Sequence, residues 1–80
     1  MAVKLVFLGR LEDAAGVAHR EVPASATLHA VLAALEPELR GVLTGDRVRI
    51  AVNGALVACG QAVDLHDGDE IAFLPPVSGG

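Results

Sequence analysis

Thr27-Leu28-His29-Ala30-Val31-Leu32-Ala33-Ala34-Leu35-Glu36 decides the fold. Leu28, Val31, Leu32 and Leu35 recur at i, i+3, i+4 and i+7, which lays one apolar stripe along a helix over residues 27–36. Thr27 is its N-cap, because a short side-chain oxygen there can accept from an N–H that the first turn leaves unpaired. Pro37 ends or kinks the helix, since proline has no N–H and its ring crowds the preceding turn. Leu39 and Leu43 continue the same packing in a looser turn, and Gly41 and Gly45 mark the return loop. A helix with a single apolar face needs a sheet to bury it.

The sheet is legible on both sides of the helix. Upstream, Val3, Leu5 and Phe7 alternate with Lys4, Val6 and Leu8, the period of a strand that Gly9 ends. Residues 10–15 make a short helical turn stopped by Gly16, and residues 17–22 read as a second strand closed by Pro23. Downstream, Val48, Ile50 and Val52 alternate with Arg49 and Ala51. Asn53-Gly54 then predicts a type I′ hairpin, which needs positive φ at both central residues. Ala55, Leu56 and Val57 form a short fourth strand. Residues 58–66 carry the weakest pattern, Asp67-Gly68-Asp69 is a turn, and residues 70–74 are the last strand. The order is strand, strand, helix, then three strands: an α+β chain with a mixed sheet packed over one main helix. Residues 1–74 form the domain and residues 75–80 an extended tail.

Composition narrows the function. Eighty residues make one small domain with a modest core. The single Cys rules out an internal disulfide and a paired-cysteine zinc site. A net charge of −4, with six basic residues spread along the chain, disfavours nucleic-acid binding. Residues 3–8 are strand length and contain Lys4, so they are no signal peptide. No stretch approaches the roughly 18 apolar residues of a membrane span, so a cytoplasmic domain is expected.

The outer face of the sheet and the chain end carry the functional signal. If Val3, Leu5, Phe7, Val48, Ile50, Val52, Ile71 and Phe73 face the helix, their alternates Val6, Leu8, Ala72 and Leu74 face away, joined by Leu56. A solvent-facing sheet surface normally alternates to polar residues, and a contiguous apolar patch marks a docking surface unless a loop covers it. The last strand runs straight into Pro75-Pro76-Val77-Ser78-Gly79-Gly80. Two prolines bias the segment toward an extended conformation, which lowers the entropy lost on threading it into a partner. Read as the terminus, Gly80 presents only its α-carboxylate on a strip without side chains. That carboxylate is ionised at neutral pH and is a poor electrophile, so the chain reads as a carrier whose end must be activated by ATP. The plainer alternative is a frayed end without a role.

The body offers no rival chemistry. Cys59 lies between Ala58 and Gly60 with no basic residue close in sequence, so it reads as a semi-buried structural thiol. His19, His29 and His66 lack metal-ligand spacing and read as surface or capping residues. Asp64, Asp67, Asp69 and Glu70 lack the spacing of a calcium loop and read as a solvated turn that can also complement a basic partner. Neither a phosphate-binding glycine loop nor a nucleophile elbow is present.

The chain resembles the small, sulfur-carrying subunits of molybdopterin synthase, which are ubiquitin-like β-grasp proteins. The resemblance covers essentially the whole chain. It rests on Val6-Phe7-Leu8 with Leu11-Glu12-Asp13-Ala14-Ala15-Gly16, on Ala51-Val52-Asn53, and above all on the block from Asp67-Gly68-Asp69-Glu70 through Ile71-Ala72-Phe73-Leu74 to Pro75-Pro76-Val77-Ser78-Gly79-Gly80. The related thiamine-pathway carriers share the Gly-Gly end but usually lack the Ala-Ala-Gly segment and the Pro-Pro tail. Glu12 stands where many members carry a basic residue, so no partner salt bridge is carried over to it.

The resemblance implies a mechanism. An ATP-dependent activating enzyme adenylates Gly80, and an upstream sulfurtransferase or cysteine desulfurase supplies the sulfur of a terminal thiocarboxylate. Residues Pro75, Pro76, Val77, Ser78 and Gly79 then carry it into the large synthase subunit, in a heterotetramer, where sulfur reaches the pyranopterin precursor of the molybdenum cofactor. It implies no metal or organic cofactor on this chain, and partner contacts through Val6, Leu8, Leu56 and Leu74. Two alternatives stay open: a sulfur carrier for thiamine or another small molecule, and a protein modifier that forms isopeptides.

Overall fold

The computed structural model describes residues 2–23, 27–45, 48–57 and 63–75. The strands are β1 (Ala2–Phe7), β2 (His19–Pro23), β3 (Arg49–Val52), β4 (Ala55–Val57) and β5 (Glu70–Leu74), and the helices are α1 (Arg10–Ala15), α2 (Leu28–Ala33) and α3 (Pro37–Leu43). The strands form one mixed sheet in the order β2-β1-β5-β3-β4. β1 runs antiparallel to β2 and parallel to β5, and β3 runs antiparallel to both β4 and β5. The last strand in the chain is therefore the middle of the sheet.

One face of that sheet makes the core. Val3, Leu5 and Phe7 of β1 and Ile71 and Phe73 of β5 are fully buried. Phe7 and Phe73 are register partners, and their rings stack with centroids 5.6 Å apart and planes 10° from parallel. Leu11, Leu28, Val31, Leu35, Leu39, Leu43 and Leu65 close over them. Each such aliphatic side chain stabilises the fold by about 1.5–3 kcal/mol through burial alone. The chain has only two Phe and no Trp or Tyr, so this stacked pair is the aromatic content of the core.

The helical region differs in detail from the single helix expected over residues 27–36. Thr27 is the N-cap as read, its hydroxyl oxygen accepting from the Ala30 N–H at 3.2 Å. The helix ends at Ala33, with Ala34 as its C-cap. Pro37 then opens a regular second helix that carries Leu39 and Leu43, where a looser turn was expected. The reason is chemical: proline cannot continue a helix, but its fixed φ and missing N–H suit the first helical position. The Arg40 guanidinium donates to the Ala33 carbonyl at 3.1 Å, satisfying an acceptor that the end of α2 leaves open. Leu32, on the sequence stripe, is only half-buried, whereas Val31 and Leu35 point inward.

Other boundaries follow the turn chemistry. Gly16 adopts φ 81° and caps α1, its N–H donating to the Glu12 carbonyl at 2.8 Å. β2 therefore starts at His19, two residues later than expected, and Val17 is 44% exposed. Asn53 and Gly54 have φ of 51° and 86°, the positive pair that a type I′ hairpin demands. Among the described residues, no helix is long and apolar enough to cross a membrane.

Candidate functional site

Strand register places the expected patch residues together on the outer face. Val6 lies beside Ala72, Ala72 beside Ala51 and Ala51 beside Leu56, so one apolar row crosses four strands. The next row toward the tail holds Leu74 beside Arg49, with Leu8 continuing β1. At the other end the face turns polar, with Lys4 between Glu21 and Glu70. Leu8 is 42% and Leu56 66% exposed, while Val6, Ala72 and Leu74 are half-buried by one another. The core leucines and valine of the helices belong to the opposite face, so among the described residues no helix covers this surface, and within it Ala51 is buried.

The apolar end of the face is also where the chain leaves the sheet. The Leu8 N–H donates to the Phe73 carbonyl at 3.1 Å, extending the β1–β5 pairing to the end of β5. Gly9 follows with φ 55°, and a Cβ built on it would stand 2.9 Å from Cγ of Pro75. Pro75, the first residue of the expected tail, is thus half-buried against a backbone that only glycine keeps clear. Pro76, Val77, Ser78, Gly79 and Gly80 lie outside the described residues, as does Cys59.

The acidic turn at the far end is mainly a structural device. The Asn53 side-chain amide donates to Asp69 Oδ1 at 3.0 Å, and the His66 N–H donates to Asp69 Oδ2 at 2.8 Å. Those two bonds hold the Asp69 carboxyl below the usual carboxylate range, the Asn53 bond contributing most. The Glu70 N–H donates back to Asn53 Oδ1 at 2.9 Å, and the Ala2 N–H donates to Asp67 Oδ1 at 2.7 Å. The turn thereby ties the start of β1, the β3–β4 hairpin and the start of β5 into one knot. Asp64 pairs with Thr27 in an isolated bridge. His19, His29 and His66 are exposed, and among the described residues no group of His, Cys, Asp and Glu is placed to hold a metal.

A groove of about 160 Å³ lies between β2 and α2, lined by Arg20, Val22, Pro23, Val31, Ala34 and Leu35. Its cation is already engaged, for Arg20 donates to both carboxylate oxygens of Glu36 at 3.1 Å. That hydrogen-bonded contact lowers the Glu36 carboxyl and raises the guanidinium. The groove holds no converging set of acid, base and nucleophile.

The ThiS family model matches residues 5–80. The chain belongs to the ThiS family. It is 33% identical over 98% of its length, and 99% of the relative, to the molybdopterin synthase sulfur carrier subunit of Escherichia coli strain K12. The solution structure of small archaeal modifier protein 1 from Methanosarcina acetivorans is similar at a TM-score of 0.79 and 30% identity, over 99% of this chain and 96% of that one. A complex of subunits 1 and 2 of molybdopterin-converting factor from Helicobacter pylori 26695 contains a chain that matches at TM-score 0.66 and 28% identity, with both chains fully covered. The mixed sheet and these likenesses together make this ThiS-family member an α+β, ubiquitin-like β-grasp protein.

Three residues of the site escaped the sequence reading. Arg49 and Ala51 become part of the outer face only once β3 is known to lie beside β5. The alternation with Ile50 carried that signal, but the strand order did not follow from it. Gly9 read as a strand stop, and its contact with Pro75 joins residues too far apart for local pattern to reveal.

Proposed function

We propose that this ThiS-family chain is the sulfur-carrier subunit of a molybdopterin synthase, with Gly80 as the residue that bears the sulfur. One observation carries the reading: the apolar outer face ends at Leu8, Leu74 and Pro75, so a partner seated on it lies where the chain passes beyond β5. The full-length likeness to a molybdopterin synthase sulfur carrier subunit supports the choice of pathway. The Helicobacter pylori complex supports the large subunit as a partner.

In this reading the Gly80 carboxylate attacks the α-phosphorus of ATP on a separate activating enzyme and releases pyrophosphate. The resulting acyl-adenylate has a good leaving group, so one difficult step becomes two easier ones. The persulfide of a sulfurtransferase or cysteine desulfurase displaces AMP to form an acyl disulfide, and a second thiol cleaves that bond, leaving the thiocarboxylate on Gly80 and a disulfide on the sulfur donor. Pro75, Pro76, Val77, Ser78 and Gly79 thread the large subunit's channel, and sulfur passes to the pyranopterin precursor within a cytoplasmic heterotetramer. The acids, bases and nucleotide site belong to the partners, and this chain needs no metal or organic cofactor of its own.

The deciding experiment is intact-mass analysis after incubation with the activating enzyme, ATP and a sulfur source, followed by transfer with the large subunit and precursor. The terminal oxygen should be exchanged for sulfur and then restored on transfer. A second reading, as a protein modifier, is favoured by the likeness to small archaeal modifier protein 1. In that case the same assay in cell extract gives lysine conjugates instead of molybdopterin.

A further inference from the structure

Arg49 is the only Lys, Arg, Asp or Glu that the described strands place in the two apolar rows of the outer face. Its partner in register is Leu74, and its neighbours on that face are Ala51 and, across β4, Leu56. It is exposed, and among the described residues no carboxylate lies within ion-pair distance of it. The other described cations are differently placed: Lys4 has Glu21 and Glu70 beside it, Arg20 is held by Glu36, Arg40 donates to the Ala33 carbonyl, and Arg10 opens α1, outside the strands that make the face.

A guanidinium is charged at every physiological pH. When an apolar surface covers Val6, Leu8, Leu56 and Leu74, water leaves the neighbourhood of Arg49, and an unpaired buried charge is strongly unfavourable. The natural counter-group is a carboxylate, which meets the guanidinium fork with two parallel hydrogen bonds. The sign also sets orientation. A chain of net charge −4 attracts basic surfaces, and Arg49 repels them locally unless an acid stands opposite.

We infer that Arg49 is a specificity residue of the docking face: the synthase large subunit that covers this face presents an Asp or Glu to Arg49, beside the point where the tail departs. The inference rests on the sulfur-carrier reading for the identity of the partner.

The test is calorimetric titration of the chain with its cognate large subunit, using wild type, Arg49→Leu and Arg49→Lys at low and high salt. Arg49→Leu enlarges the apolar patch, so the two possibilities differ in sign. With a carboxylate opposite, Arg49→Leu weakens the complex about tenfold or more, its salt dependence flattens, and Arg49→Lys retains part of the affinity. Equal or tighter binding by Arg49→Leu overturns the inference, because it shows the arginine lying unpaired at the rim. Thermal melts matching wild type confirm that each variant is folded. Thiocarboxylate formation by the wild type, measured in parallel, tests the underlying reading. A wild type that gains no sulfur and forms no complex overturns that reading, and the inference with it.

Discussion

Gly9 and Pro75 meet across the root of the tail at a distance that leaves no room for a side chain on residue 9. A Cβ there would stand 2.9 Å from Pro75 Cγ, well inside the roughly 3.5–4.0 Å at which carbon atoms rest. Gly9 also has φ 55°, where an L-residue is strained. Gly9→Ala is therefore expected to cost about 1–2 kcal/mol from backbone strain alone, read by urea denaturation. If the added clash is relieved by moving Pro75, sulfur loading slows as well. Unchanged stability together with unchanged loading would remove this contact from the account.

The core makes a graded prediction for the two leucines at the end of α2. Leu35 is 4% exposed, so Leu35→Ala should destabilise by about 2–5 kcal/mol. Leu32 is half-buried at the edge of the same cluster, and Leu32→Ala should cost clearly less. The order of the two denaturation midpoints checks the placement, and a reversed order contradicts it.

Docking should fail without unfolding when a charge enters the outer face. Leu8 is 42% exposed and faces away from the core, so Leu8→Asp should melt within a few degrees of wild type. The same variant should bind both the activating enzyme and the large subunit weakly, and those two proteins should compete for wild type. Calorimetry with each partner, then with both together, gives the answer. Normal binding to either one removes the face from that interface.

Chain extension is the strictest test of Gly80. Residues appended after it leave no carboxylate at the reacting position, and thiocarboxylate formation should vanish. Gly79→Ala should be milder, since a Cβ narrows the strip that enters the channel. Both are scored by intact mass with activating enzyme, ATP and sulfur source. Sulfur incorporation at the normal rate in the extended variant would sink the carrier mechanism.

Acid should loosen the turn around Asp69. Hydrogen bonds from Asn53 and from the His66 backbone lower its folded pKa below the unfolded value of about 3.9. Stability from this group is therefore complete above the unfolded pKa and is lost as pH falls through the folded one. Melting temperature should drop below about pH 4 in wild type, and the drop should be shallower in Asp69→Asn. Parallel acid profiles would show that the carboxylate contributes nothing.

Much of this was legible because it is periodic. The alternation of Val3, Leu5 and Phe7, the spacing of Leu28, Val31 and Leu35, and the Asn53-Gly54 pair each report a local geometry with its own repeat or backbone requirement. Pro37 was read as a stop and is also a start, because the feature that breaks one helix suits the first position of the next. Leu65 joins the core from a stretch with no pattern, its burial set by tertiary packing alone. The patch residues Val6, Leu8, Leu56 and Leu74 were placed on one face by alternation. Arg49 entered that face only through the β3–β5 pairing, which joins segments about twenty residues apart.

The sheet order has a consequence for how this protein is made. The hairpin of β1 and β2 and the hairpin of β3 and β4 share no edge, and β5 alone joins them. A nascent chain still missing β5 holds two ribbons with a gap where the central strand belongs, so its helices have no continuous sheet to pack on, and isolated two-stranded ribbons are marginal at best in water. Completion of the fold thus waits for the strand that immediately precedes the tail. Synthesis that halts before β5 leaves the sheet without its centre, so every folded copy has been translated at least to Leu74, where β5 ends.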